Sequence, residues 1–89
     1  MYIKKILELS TAHLTKNTAD RMDNRQYCIA RYAYGALVYV DPWQIEHRDV
    51  STYPKDLLDC IALALDNNCD YILFDQDEEP IEDLPTYDW

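Results

Sequence analysis

The sequence predicts an α+β domain in the order β-α-β-β-α-β, with an antiparallel sheet and two helices on one of its faces, the ferredoxin-like split βαβ arrangement. Three observations carry that expectation. Apolar and aromatic residues alternate with a period of two from Tyr27 to Asp41, as half-buried strands require. Leu57, Leu58, Ile61, Ala62 and Leu65 recur with the period of a helix that buries one stripe. A length of 89 residues leaves room for a single core.

Ile3 to Leu9 carries Ile6, Leu7 and Leu9 and reads as the first strand, which Ser10-Thr11-Ala12-His13-Leu14 then leaves. Asn17 followed by Asp20 resembles a capping pair, because short polar side chains take the orphan amides of a first turn. A short helix is expected from Thr18 to Arg25. Gly35, the one glycine of the chain, divides the β region into a hairpin. Glycine reaches φ > 0 without steric cost, and a tight turn uses that freedom. On the first arm Cys28, Ala30, Tyr32 and Tyr34 share a face, with Ile29, Arg31 and Ala33 on the other. On the return arm Leu37 and Tyr39 alternate with Ala36, Val38 and Val40, and Pro42 ends the pairing. Ser51 or Thr52 can cap the second helix, with Pro54 in its first turn, where a missing amide costs nothing. Asn67-Asn68 stops it, since asparagine tolerates a left-handed cap. Tyr71-Ile72-Leu73-Phe74 is a buried strand running into Asp75-Gln76-Asp77. The α+β domain is therefore expected over 1–77, with 78–89 an acidic tail that Ile81, Leu84, Tyr87 and Trp89 pack on the body.

Charge divides the chain more sharply than hydropathy. Residues 1–65 hold 8 acidic and 8 basic residues, so the whole net charge of −9 arises in residues 66–89, which have 9 carboxylates and no lysine or arginine. Such a field repels nucleic acid and anionic lipid and attracts a basic surface. With one glycine, no Gly-rich phosphate loop or dinucleotide fingerprint can form. Cys28, Cys60 and Cys69 are odd in number and widely spaced, so buried free thiols are expected rather than a disulfide framework or a zinc site. No apolar run is long enough to cross a bilayer and no signal segment opens the chain, so a cytoplasmic location is expected.

Three constellations could carry chemistry. Asp75 and Asp77 lie two residues apart at a strand end, with Glu78 and Glu79 next. Such oxygens can converge on magnesium or manganese, or they can be solvated carboxylates in an acidic segment. His13, with Ser10 and Thr11 beside it, could act as a base oriented by Asp75 or Asp77 if the first and last strands share a sheet. Alternatively the hydroxyls close a turn and His13 caps or packs. Tyr32, Tyr34, Tyr39 and Trp43 form either core or an interaction surface. His47, between Glu46 and Asp49, reads as exposed.

The blocks Leu9-Ser10-Thr11-Ala12-His13-Leu14, Cys69 to Asp77 and Leu84-Pro85-Thr86-Tyr87-Asp88-Trp89 resemble an uncharacterised family of small bacterial domains of plasmids, integrative elements and prophages. The resemblance implies a mobile-element setting, where small acidic proteins block host defence systems, and it implies no catalytic residues. The expected function is thus a non-enzymatic acidic binding or inhibitor module. Asp75, Asp77, Glu78, Glu79, Glu82 and Asp83 would meet a basic protein surface, in its sharpest form by mimicking nucleic acid against a restriction or CRISPR protein. No direct nucleic-acid partner, membrane or resident cofactor is expected; a homodimer through the hairpin is compatible. The alternative is a small metal-dependent hydrolase or nuclease using His13, Asp75 and Asp77 with magnesium or manganese.

Overall fold

The structure, a computed structural model, describes residues 1, 3–23, 30–33, 35–40 and 53–88. Expectations that rest on Cys28, Ile29, Tyr34, Pro42, Trp43, His47, Ser51, Thr52 and Trp89 lie outside the described residues. The elements are β1 (Ile6–Ser10), a 3-10 turn (Thr11–His13), α1 (Lys16–Asp20), a second 3-10 turn (Arg21–Asp23), β2 (Ala30–Tyr32), β3 (Gly35–Tyr39), α2 (Lys55–Asp66) and β4 (Tyr71–Asp75).

Among the described residues the strands form one four-stranded sheet in the order β1-β4-β3-β2. β1 runs parallel to β4, whereas β4–β3 and β3–β2 are antiparallel. The chain is therefore α+β, but its sheet is mixed, and the expected all-antiparallel arrangement is corrected. Composition explains the order. Tyr71-Ile72-Leu73-Phe74 and Ala36-Leu37-Val38-Tyr39-Val40 are unbroken apolar runs, and β4 and β3 take the two interior positions with both edges paired. β1, bordered by Lys4 and Lys5 and carrying an exposed Glu8, takes the edge.

Register places Leu7 beside Ile72 and Val38, and Leu9 beside Phe74 and Ala36, on one face of the sheet. Leu9, Phe74, Ala36, Val38 and Ile72 are buried there against Leu57, Cys60, Ile61 and Ala64 of α2. These helix residues are spaced i, i+3, i+4 and i+7, so the buried stripe is rotated from the expected one, and Ala62 is exposed. The opposite face carries half-buried Tyr39, Tyr71, Leu37 and Leu73, with the Tyr39 and Tyr71 rings 5.4 Å apart and exposed Ile6 and Tyr32 at its margins.

Side-chain and backbone caps account for the start of α1 and for both ends of α2. Helix α2 stops in a Schellman motif. Asn68 takes a left-handed φ of 57°, its amide donates to the Leu65 carbonyl (3.1 Å), and the Cys69 amide donates to that of Ala64 (2.9 Å). The cap residue at its start is Pro54, which has no side-chain cap bond, rather than a hydroxyl residue with Pro54 inside the first turn. Helix α1 begins earlier than expected, at Lys16, because Thr15 and not Asn17 is the cap, its hydroxyl accepting from the Thr18 amide. Tertiary structure selects Thr15. Asp56, buried in the first turn of α2, accepts from the Thr15 amide (2.8 Å) and the Thr18 hydroxyl (2.9 Å).

Gly35 also plays a different part. It has no positive φ and opens β3, so it is not the turn residue. Its backbone lies so close to β4 that a Cβ would collide with the Phe74 carbonyl oxygen and sit 2.6 Å from its carbon. Absence of a side chain, not backbone freedom, is what the position requires.

Candidate functional site

The acidic segment begins where β4 ends. The Asp77 amide donates to the Asp75 carboxylate (2.9 Å) and the Glu78 amide to the Asp75 carbonyl (3.2 Å). One Asp75 carboxylate oxygen is thus engaged in its own turn, as aspartate commonly is. Residues 78–88 contain no helix or strand, yet three backbone contacts fasten them to the turn that follows β1. The Ile81 amide donates to His13 Nε2 (3.0 Å), His13 Nδ1 bonds the Pro85 carbonyl (2.9 Å), and the Tyr87 amide donates to the Ala12 carbonyl (2.9 Å). Ile81 and Leu84, half-buried, pack on the core beneath.

The 3-10 turn that receives this segment is itself built by local bonds. Ser10 caps it, its hydroxyl accepting from the Ala12 amide (3.0 Å), and the Leu14 amide closes it on the Thr11 carbonyl (3.0 Å). Parallel pairing sets Ser10 beside Asp75, so the turn and the start of the acidic segment leave the same end of the sheet. His13 is 1% exposed and lies within the fold, with both ring nitrogens bonded to tail backbone. No hydrogen bond joins it to Asp75 or Asp77 among the described residues. The structure therefore does not assemble the base and orienting carboxylate considered above. Among the described residues there is also no group of three or more His, Cys, Asp or Glu side chains placed to hold a metal ion.

The candidate binding residues stand differently. Asp77, Glu79, Glu82 and Asp83 are exposed, and Asp75 and Glu78 are half-buried. The described ion pairs are Lys16–Asp20 (3.0 Å) and Lys55–Asp59 (2.9 Å), each within one helix. Neither involves the tail, so no intramolecular cation among the described residues neutralises it. Lys55 is held above the ordinary lysine range chiefly by its hydrogen bond to Asp59. Lys5 donates to the Asn67 carbonyl at the end of α2 (2.8 Å), where a cation suits the helix terminus. Between α2 and the tail runs a cleft of about 330 Å³ lined by Asp59, Ala62, Leu63, Asp66, Asp83, Leu84 and Pro85, so the helix extends the acidic character of the segment.

Cys60 and Cys69 are free and buried, and burial, then Asp56 and Asp59, push the Cys60 thiol up to about 12. The sequence reading did not find the capture of tail backbone by His13. Its only trace there was the alternative in which His13 caps or packs. The Thr15–Thr18–Asp56 network was missed as well, though threonine is itself among the residues preferred at a helix start. No helix among the described residues is long and apolar enough to cross a membrane.

Neither the curated proteins nor the solved structures contain a match to the chain. A family model described as the C-terminal domain of a family of unknown function, DUF5983, matches residues 6–89. That span takes in every strand and helix among the described residues and the acidic tail, and the protein belongs to the DUF5983 C-terminal domain family.

Proposed function

We propose that the domain is a non-enzymatic binding module that presents the carboxylates of residues 75–83 to a basic protein surface. One observation carries the reading. The acidic segment is fastened through its backbone, while the carboxylates of Asp77, Glu79, Glu82 and Asp83 stay exposed and lack an ion-pair partner among the described residues. A fixed array of like charge costs little to order when a partner arrives and steers basic surfaces by its field. A nucleic-acid-binding groove is the partner class whose charge is most complementary, because carboxylates can stand where phosphates bind and displaced counterions then favour association. In the mobile-element setting that the sequence blocks suggest, that groove belongs to a host defence protein of the restriction or CRISPR type.

The test is capture from a host lysate with the tagged domain and with a variant carrying Asp77→Asn, Glu79→Gln, Glu82→Gln and Asp83→Asn. The expected prey are basic nucleic-acid-binding proteins, retained by the native domain at about 50 mM salt and released near about 200 mM. The variant, folded by circular dichroism, is expected to lose them. Undiminished capture by the variant at low salt would reject the proposal.

A further inference from the structure

We propose that His13 is a proton-operated latch: its neutral ring holds the acidic carboxyl-terminal segment on the body, and its protonation lets that segment go. The Ile81 amide can only donate, so Nε2, 3.0 Å away, must offer its lone pair. The Pro85 carbonyl can only accept, so Nδ1, 2.9 Å away, must carry the proton. The docked arrangement therefore demands one particular neutral tautomer. A protonated ring has a second N–H at Nε2, aimed at the N–H of Ile81. Two donors then face each other where the ring is 1% exposed, and the amide has lost its acceptor.

The titratable groups on the surrounding segments do not replace that acceptor. Glu82 and Asp83 lie between the two latch contacts in the tail, and Tyr87 follows, its amide on Ala12. From α2, Asp59 and Asp66 line the cleft shared with Asp83 and Pro85, and Asp56 bonds Thr15 and Thr18. Asp75 ends β4 beside Ser10. The cations Lys16 and Lys55 are paired with Asp20 and Asp59. Among the described residues none of these groups hydrogen-bonds the ring, whose partners are two backbone atoms. None of these carboxylates can restore the Ile81 contact, because that amide needs an acceptor at the position of Nε2. Protonation thus trades a docked tail for a charged histidine, and presentation of the acidic segment becomes dependent on pH. The latch stands or falls independently of any partner.

The experiment is nitrogen-15 NMR on the full chain, titrated from about pH 8 to about pH 5, where histidines change charge, with His47→Gln separating the two ring signals. The neutral His13 ring is expected to carry its proton on Nδ1. As the ring protonates, hydrogen-exchange protection at the Ile81 and Tyr87 amides should fall by about tenfold or more while that of Ile72 in β4 holds. His13→Gln supplies an acceptor and a donor that do not titrate, so its tail should stay protected across the range. A neutral ring protonated on Nε2, or ring protonation with Ile81 protection unchanged, overturns the latch. So does an acid-induced loss at Ile81 that persists in a folded His13→Gln. If that variant fails to protect Ile72, the wild-type titration decides alone.

Discussion

Replacing Asp56 with alanine should cost a large share of the fold's stability. Its carboxylate, 7% exposed, accepts from the Thr15 amide at 2.8 Å and the Thr18 hydroxyl at 2.9 Å. Hydrogen bonds to a charged group are worth about 1.5–3 kcal/mol each, and Asp56→Ala removes both. Thr18 can still bond Thr15 Oγ1, at 3.1 Å from its own hydroxyl, but the Thr15 amide is left without its acceptor. The expected loss is about 4 kcal/mol, set against about 4–13 kcal/mol for a domain of this length. With a urea m-value of about 1–2 kcal/mol/M, the midpoint should drop by about 2 M or more. Asp56→Asn keeps one acceptor and should lose about half as much. Thr18→Val combined with Asp56→Ala should be clearly less than additive, with a coupling of about 1 kcal/mol or more, because the two share one bond. Thr15 lies two residues beyond His13, so the same variant should loosen the tail, read as faster exchange at Ile81 and Tyr87. A midpoint change equivalent to less than about 0.5 kcal/mol, or strict additivity, would refute this reasoning.

Three further outcomes are expected. The Cys60 thiol, ordinarily near 9.0, is pushed up to about 12 by burial and by Asp56 and Asp59. Between those values the unfolded chain releases a proton that the folded chain keeps, so stability is intact below about pH 9 and declines above it by about 1.4 kcal/mol per pH unit. Urea unfolding at about pH 8 and about pH 10.5 should show that decline reduced in Cys60→Ala, and equal declines would contradict the assignment. Gly35→Ala forces a Cβ onto the Phe74 carbonyl of β4, where backbone has to yield. It should lower Tm by about 15 °C or prevent folding, whereas an unchanged Tm would mean that β3 and β4 separate freely. Asn68→Gly should be neutral or stabilising at φ 57°, while Asn68→Val should cost about 1–2 kcal/mol by chemical denaturation. The reverse ranking would count against the Schellman end of α2.

What could be read from the sequence was whatever is decided over a few residues. The Asn67-Asn68 stop was legible because a left-handed cap depends on the residue that adopts it. β4 was legible as an apolar run with turn residues after it. The partner of each strand was not. Whether β1 lies inside the sheet or pairs parallel with β4 at its edge depends on how a contact 65 residues away in sequence is made, as between Lys5 and Asp70. The start of α1 failed for a related reason. Asn17 and Thr15 are both acceptable caps locally, and Asp56, 41 residues beyond Thr15, selects between them. Gly35 was noticed for the wrong property, since close approach between strands leaves no mark that distinguishes it from a turn. The candidate site divides in the same way. Its charge is a sum over composition and was plain, whereas the His13 contacts involve an amide and a carbonyl, which every residue except proline offers alike.

Backbone contacts of this kind can order an acidic segment. Nine carboxylates without a lysine or arginine in 24 residues repel one another, and such a stretch ordinarily stays solvated and unfolded. Intramolecular ion pairs would order it, but they would consume the charge that makes it useful. This chain uses other means. Ile81 and Leu84 pack on the core, and the Ile81 amide, the Pro85 carbonyl and the Tyr87 amide bond to His13 and Ala12. Apolar burial and neutral hydrogen bonds hold residues 78–88 on the body, and among the described residues the carboxylates of Glu78, Glu79, Glu82, Asp83 and Asp88 accept none of those bonds. Anchoring and charge are thereby separable by mutation. Neutralising Glu82 and Asp83 should leave the tail docked, and His13→Ala, which removes both ring contacts, should release it with its charge intact.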